Sequence, residues 1–169
     1  MQGLRIAFSG KMQVGKTTSA DYLVQKYGFI KLSFAGKLKE IAKDLWPEQF
    51  ECNQKPRQLL QDLGMKMREI DQDVWVNYVL RIIKSLPKET NIVIDDLRFL
   101  NEYKALKNVG FFVVCIIRNV PPSPYSNHQS ELEVDKMPYD WIIYNTSTLE
   151  NLYAELDKIV EMLNKNERK

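Results

Sequence analysis

The sequence predicts an α/β fold with a five-stranded, mostly parallel sheet covered by helices on both faces. Three observations predict it. The segment Gly10-Lys11-Met12-Gln13-Val14-Gly15-Lys16-Thr17 follows a short apolar run and opens a helix-like stretch. Further apolar runs alternate with amphipathic stretches, the order expected of βα units. One of those runs, Phe112 to Ile117, has no polar alternation, as in a strand buried on both faces.

The elements follow in order. Leu4 to Phe8 reads as a central strand. A helix runs from Lys16 to Tyr27 with Ala20, Leu23, Val24 and Tyr27 at core-facing spacing, and Gly28 ends it. Phe29 to Leu32 is a second strand. Ser33 caps a helix from Ala35 to Leu45 with an apolar stripe of Leu38, Ile41, Ala42 and Leu45. Pro47 stops it, because proline disfavours helix at the residue before it. After a loop from Glu48, Pro56 suits a helix start, followed by Arg57 to Met65. Asp71 or Asp73 caps another helix that carries Val74, Trp75, Tyr78, Val79, Ile82 and Ile83. Residues 34–90 are therefore a helical excursion too long for a plain crossover, and read as a substrate-covering region.

Ile92-Val93-Ile94 is a third strand ending at Asp95-Asp96. A helix over Leu100 to Val109 leads to the fourth strand, Phe112 to Ile117. Residues 118–131 hold Pro121, Pro122 and Pro124 and read as a short lid loop. Trp141 to Tyr144 is the fifth strand, Asn145 to Thr148 a turn and cap, and Leu149 to Leu163 a closing helix.

Residues 1–169 are expected to form a single domain. Composition is that of a soluble globular protein, 44% hydrophobic and 27% charged. A net charge of +2 lacks the basicity of a dedicated nucleic-acid binder. Cys52 and Cys115 lie far apart with no metal-ligand spacing, which fits a reducing, cytoplasmic setting. No apolar stretch approaches the ~18 residues of a membrane span, and the start of the chain has no signal-peptide pattern. No membrane partner and no stable nucleic-acid partner are expected; a homodimer is left open.

The chemistry centres on the first loop. G-x-x-x-x-G-K-[ST] between a strand and a helix is the phosphate-cradling P-loop. Its glycines let the backbone approach the ligand, and the helix adds its positive dipole end. Lys16 reaches the β- and γ-phosphates, and the Thr17 hydroxyl suits Mg²⁺. Asp95 and Asp96 match the strand-then-acid pattern that holds or orients Mg²⁺; the plainer alternative is a pair of strand-end turn acids. Arg98 and Glu102 stand four apart, close enough to approach one another on a helix, either as a surface pair or with Arg98 facing an anionic substrate. Arg57 has the fork geometry for phosphate. Arg118, at the lip of the proline-rich loop, can reach over a transferred phosphate. Trp75 reads as core on helical spacing, or as a stacking wall for a base. His128 is the only histidine and suggests neither a triad nor a zinc site. P-loop, Asp95/Asp96, Arg118 and Asn145 all follow predicted strands, and ligands of such folds sit at that sheet edge.

The order GKMQVGKT at 10–17, SFAGKLKE at 33–40, RQLLQDLG at 57–64, DVWVNYVL at 73–80, IVIDDLRFLNE at 92–102, VVCIIRN at 113–119, NHQSE at 127–131 and IIYNTSTLENL at 142–152 resembles the phage-type deoxynucleoside monophosphate kinase family. That family is one of the adenylate-kinase-like P-loop kinases. The resemblance spans Leu4 to about Leu163. It implies transfer of the γ-phosphate of ATP to a deoxynucleoside 5′-monophosphate, with Mg²⁺, giving ADP and the diphosphate. It implies that Gly10, Gln13, Val14, Gly15, Lys16, Thr17 and Thr18 hold ATP, with Asn145 near its base. Arg57, Trp75, Asp96, Arg98 and Glu102 would face the acceptor, with Met12 beside it. Lys16, Asp96, Arg98 and Arg118 would form the catalytic set, and Thr17 and Asp95 the metal side. Residues 34–90 would be the acceptor-binding region and 118–131 the lid. Two alternatives stay open: a P-loop kinase of another small acceptor such as dephospho-coenzyme A, and a non-catalytic nucleotide-binding module.

Overall fold

The computed structural model describes residues 2–51, 55–119, 121 and 129–166. Its elements are β1 (Arg5–Ser9), α1 (Lys16–Tyr27), β2 (Ile30–Leu32), α2 (Phe34–Leu45), α3 (Arg57–Ile70), α4 (Val74–Ser85), β3 (Ile92–Leu97), α5 (Leu100–Asn108), β4 (Phe112–Ile117), α6 (Gln129–Leu132), β5 (Trp141–Tyr144) and α7 (Leu149–Asn166). Short 3₁₀ turns cover Pro47–Phe50 and Val134–Lys136. The chain forms two compact units, one of Ser33–Ser85 and one of the residues on either side.

The larger unit holds one five-stranded sheet in the order β2-β3-β1-β4-β5, with every pairing parallel. The crossovers β1–α1–β2 and β3–α5–β4 run toward opposite edges. Right-handed connections therefore put α1 and α5 on opposite faces. β1 is central, and Ala7 and Phe8 are fully buried, which is why its run needs no polar alternation. On the α1 face, Leu4, Ile6, Phe8, Val93, Val114 and Ile116 pack with Ala20 and Leu23 of α1 and Leu152, Leu156 and Ile159 of α7.

α1 is also clamped to α7 by polar contacts. The Asp157 carboxylate accepts from Tyr22 OH at 2.9 Å, Tyr27 OH at 2.7 Å and Lys26 Nζ at 2.8 Å, while Tyr22 stacks on Tyr153 with centroids 4.0 Å apart. Burial and the bond to Asp157 push the Tyr27 hydroxyl up to about 12.

In the Ser33–Ser85 unit, α2 packs on α3 and α4. Trp75 is buried and its indole Nε1 donates to the Gly64 carbonyl at 3.3 Å, tying α4 to α3. Gly64 sits close to Leu38, where a Cβ would lie 3.1 Å from Cδ2.

Two element boundaries differ from the sequence expectation in ways that bear on function. The third strand does not stop at Ile94 but continues through Asp95 and Asp96 to Leu97. Ala7 pairs with Ile94 and Ser9 with Leu97, so the register shifts across the two acids. Such a shift re-aims side chains without ending the strand. Residues 129–131, expected as the end of the lid loop, instead open the short helix α6, and a 3₁₀ turn follows it. Among the residues called there, Pro122, Pro124 and His128 lie outside the described residues.

Candidate active site

The P-loop joins the end of β1 to α1 at the carboxyl edge of the sheet. Gly10 has φ +138°, and a Cβ there would lie 2.4 Å from the Ile116 carbonyl oxygen. The loop can pass the end of β4 only with glycine at this point. Gly15 has φ +109°, and a Cβ would meet Asn145 Nδ2 at 2.8 Å. Gln13 also takes a left-handed conformation, at φ 62°. Gln13 and Gly15, with positive φ on either side of Val14, suit the mixed right- and left-handed backbone from which anion-binding nests are built.

Lys16 is buried at 7% exposure. Its ammonium donates to the Gly10 carbonyl at 2.6 Å and the Lys11 carbonyl at 2.5 Å, so the cation already lies over the loop. Ser19 Oγ donates to the Gly15 carbonyl at 2.9 Å. Thr17 is exposed in the first turn of α1 and Thr18 half-buried, while Val14 is buried and Met12 half-buried.

The loop is braced from the far side of the sheet. Asn145, just past β5, is 9% exposed. Its Nδ2 donates to the Val14 carbonyl at 2.8 Å, and its backbone N–H donates to the Ile117 carbonyl at 2.8 Å. The predicted convergence of Asn145 on the P-loop is thus seen in direct contact, made through the loop backbone.

Asp95 is 9% exposed. Its carboxylate meets Lys31 Nζ of β2 at 3.0 Å, and Lys31 also reaches Asp21 at 2.9 Å. Burial works against the Lys31 charge, but Asp21 and Asp95 outweigh it and raise the ammonium above its ordinary value. Asp96 is half-buried, as is Arg98. Glu102 is buried, and its Oε2 accepts from the backbone N–H groups of Arg98 at 2.9 Å and Phe99 at 3.0 Å. The approach of Arg98 and Glu102 expected from their spacing is therefore made at the Arg98 main chain. Arg118 is exposed at the end of β4. Arg57 opens α3 and Trp75 lies in α4, both in the Ser33–Ser85 unit.

The segment after α6 adds residues that periodicity does not flag. Glu133 accepts from the Leu100 N–H at 2.9 Å. Asp135 meets Lys11 of the P-loop at 3.4 Å, with both groups exposed. Met137 Sδ lies 3.8 Å from Ser9 Oγ, which also donates to the Leu97 carbonyl at 3.0 Å. Tyr139 OH donates to the Val134 carbonyl. Burial raises the pKa values of the Tyr139 hydroxyl and of the Cys115 thiol, which keeps both neutral near neutral pH. No cluster of three or more His, Cys, Asp or Glu suited to a metal occurs among the described residues, and no helix among them is long and apolar enough to cross a membrane.

A glycine-bounded loop with a buried lysine over it, at the carboxyl edge of a parallel sheet and the start of a helix, is suited to a nucleotide's phosphates. Comparison with known proteins narrows the class. The chain is 28% identical, over 92% of its length and 95% of the other's, to a protein of Acanthamoeba polyphaga mimivirus provisionally named a deoxynucleotide monophosphate kinase. Its fold is similar to that of dephospho-CoA kinase from Campylobacter jejuni, with a TM-score of 0.62, 15% identity, and coverage of 96% of this chain and 98% of that one. A Chloroflexus aurantiacus protein provisionally described as a kinase aligns with a TM-score of 0.57, 15% identity and 98% coverage of both chains. These two likenesses show the fold alone. Residues 50–156 match the family model for deoxynucleotide monophosphate kinase. That stretch includes the segments of Arg57, Trp75, Asp96, Arg98, Arg118 and Asn145, and with it the chain belongs to the deoxynucleotide monophosphate kinase family and is a nucleotide kinase.

Proposed function

We propose that the protein transfers the γ-phosphoryl group of ATP to a deoxynucleoside 5′-monophosphate, releasing ADP and the deoxynucleoside diphosphate. The observation that carries this reading is the P-loop with the Lys16 ammonium already poised on the Gly10 and Lys11 carbonyls, in a chain of this family. Phosphoryl transfer needs positioning and charge stabilisation more than covalent chemistry. Gly10, Gln13, Val14, Gly15, Lys16, Thr17 and Thr18 hold the donor phosphates, Lys16 by exchanging its carbonyl partners for phosphate oxygens. Arg98 and Arg118 stabilise charge on the transferred group, and Asp96 orients the acceptor. Met12, Arg57, Trp75 and Glu102 complete the acceptor side, with Glu102 acting through the main chain of Arg98. Residues 34–90 serve as the acceptor-binding region and 118–131 as the lid.

The residues present suit Mg²⁺. This ion keeps several waters and substrate phosphates and needs only one or two protein oxygens; the exposed Thr17 hydroxyl would provide one, and the Asp95 carboxylate, which is paired with Lys31, would provide the second through an intervening water. When bound, Mg²⁺ neutralises charge on the phosphates. The expected setting is the cytoplasm, and the expected partners are small nucleotides.

The test is a steady-state panel of ribo- and deoxynucleoside monophosphates with ATP and Mg²⁺, with dephospho-coenzyme A as a further acceptor. Turnover with a deoxynucleoside monophosphate, reduced at least about a hundredfold in Lys16→Ala as when a preorganised donor is lost, supports the reading. Turnover restricted to dephospho-coenzyme A, or an unchanged rate in Lys16→Ala, overturns it.

A further inference from the structure

The start of α5 is capped in an unusual way. The first N–H groups of a helix have no partner within it, and a Ser, Thr, Asp or Asn before the helix normally supplies one. Here that position is Phe99, which has no side-chain acceptor. Two glutamates take over. Glu102 accepts from Arg98 N and Phe99 N, and Glu133 accepts from Leu100 N at 2.9 Å. Three successive amides at the turn that carries Arg98 are thus held by two carboxylates, one of them from far along the chain. Negative charge at this helix end is favoured by the dipole as well.

Glu133 itself is half-buried and has a second partner. Its Oε1 accepts from Gln129 Nε2 at 2.6 Å. The next residue, Val134, is buried and its carbonyl accepts from Tyr139 OH. Met137 is buried against Ser9 at the end of β1. The turn that presents Glu133 is therefore built on the same strand end that launches the P-loop.

We propose that Glu133 is a positioning residue for the phosphoryl acceptor, fixing the 98–102 turn so that Arg98 is held in register with the donor loop. This rests on the reading above that Arg98 faces the acceptor and stabilises charge on the transferred group. Glu133 touches neither nucleotide. Its effect is on acceptor use, since the donor loop has its own braces in Asn145 and Ser19.

The experiment uses the full chain and two variants, Glu133→Ala and Glu133→Gln. Losing a charge-assisted cap should lower kcat/KM for the acceptor about tenfold in Glu133→Ala, through KM and kcat together because Arg98 also stabilises the transferred group, with the ATP KM within about twofold of wild type. Glu133→Gln retains an oxygen for Leu100 N–H and should recover most of the loss. Amide hydrogen exchange at 100–102, measured without substrate, should quicken in Glu133→Ala and not at residues 16–20 of α1. A wild-type enzyme inactive on every monophosphate would overturn the functional reading and this inference with it. An active wild type whose acceptor kcat/KM is unchanged in Glu133→Ala, or whose ATP KM rises by as much as the acceptor kcat/KM falls, would overturn this inference alone. Unchanged exchange at 100–102 would also overturn it.

Discussion

Removing the Asn145 amide should loosen the P-loop from behind while leaving every group that faces the phosphates in place. Val14 is 2% exposed and Asn145 9% exposed, and the amide donates to the Val14 carbonyl at 2.8 Å. Asn145→Ala deprives a buried carbonyl of this donor, a loss of about 1–3 kcal/mol. For a chain of this size that lowers Tm by about 2–4 °C per kcal/mol. The side chain also fills the space in front of Gly15, so its loss lets the loop sample other backbone angles. If about 1.4 kcal/mol of that strain appears in donor binding, kcat/KM for ATP falls about tenfold. Asn145→Asp separates shape from hydrogen bonding. It keeps the volume but points carboxylate oxygens at the carbonyl, and should be at least as damaging as alanine. Differential scanning calorimetry and initial rates at varied ATP read both effects. Near-wild-type kinetics and Tm in Asn145→Asp would refute the assigned bond.

Two further outcomes follow from the geometry. Gly10→Ala should fold poorly or lose activity, because its Cβ would lie 2.4 Å from a backbone oxygen at φ +138°; soluble expression with wild-type rates would contradict this. The Asp157 carboxyl is held below the usual range: burial opposes the charge, but bonds from Lys26, Tyr27 and Tyr22 win. A depressed folded pKa contributes stability that is present above the unfolded value, about 4, and is lost as pH falls through the folded one. Tm of wild type should therefore exceed that of Asp157→Asn near pH 7 and converge with it as pH falls through the depressed folded value. Parallel Tm–pH curves would exclude the clamp.

The parts that local chemistry dictates were readable in the sequence. The run Phe112 to Ile117 is a strand with the expected bounds, and so is Trp141 to Tyr144. Gly28 ends α1 in the left-handed conformation that glycine supplies cheaply. Asp95 and Asp96 were misplaced relative to β3 because consecutive charges normally end an apolar run, whereas a register shift and Lys31 accommodate them inside the strand. The bonds that organise the site were not legible. Asn145 to Val14 and Glu133 to Leu100 join residues far apart in sequence, and no local pattern distinguishes a polar residue with such a partner from one facing water. Lys31, on a short edge strand, reads as a surface lysine for the same reason.

The position of β1 also sets the order in which the protein can assemble during synthesis. Ala7 has Ile94 on one side and Val113 on the other, and among the described residues β2 pairs only with β3. No two strands of the sheet can join until β3 has left the ribosome. At ~5–20 residues per second, β1 waits about 4–17 s for its first partner. During that interval Leu4, Ile6 and Phe8, later at the centre of the core, stay open to solvent and to other chains. The residues of Ser33–Ser85, which form a compact unit of their own, are all synthesised in the meantime. A nascent chain therefore presents an unpaired first strand whose partners are not yet made, and the nucleotide site, which needs β1, β4 and Asn145 together, is among the last features to appear.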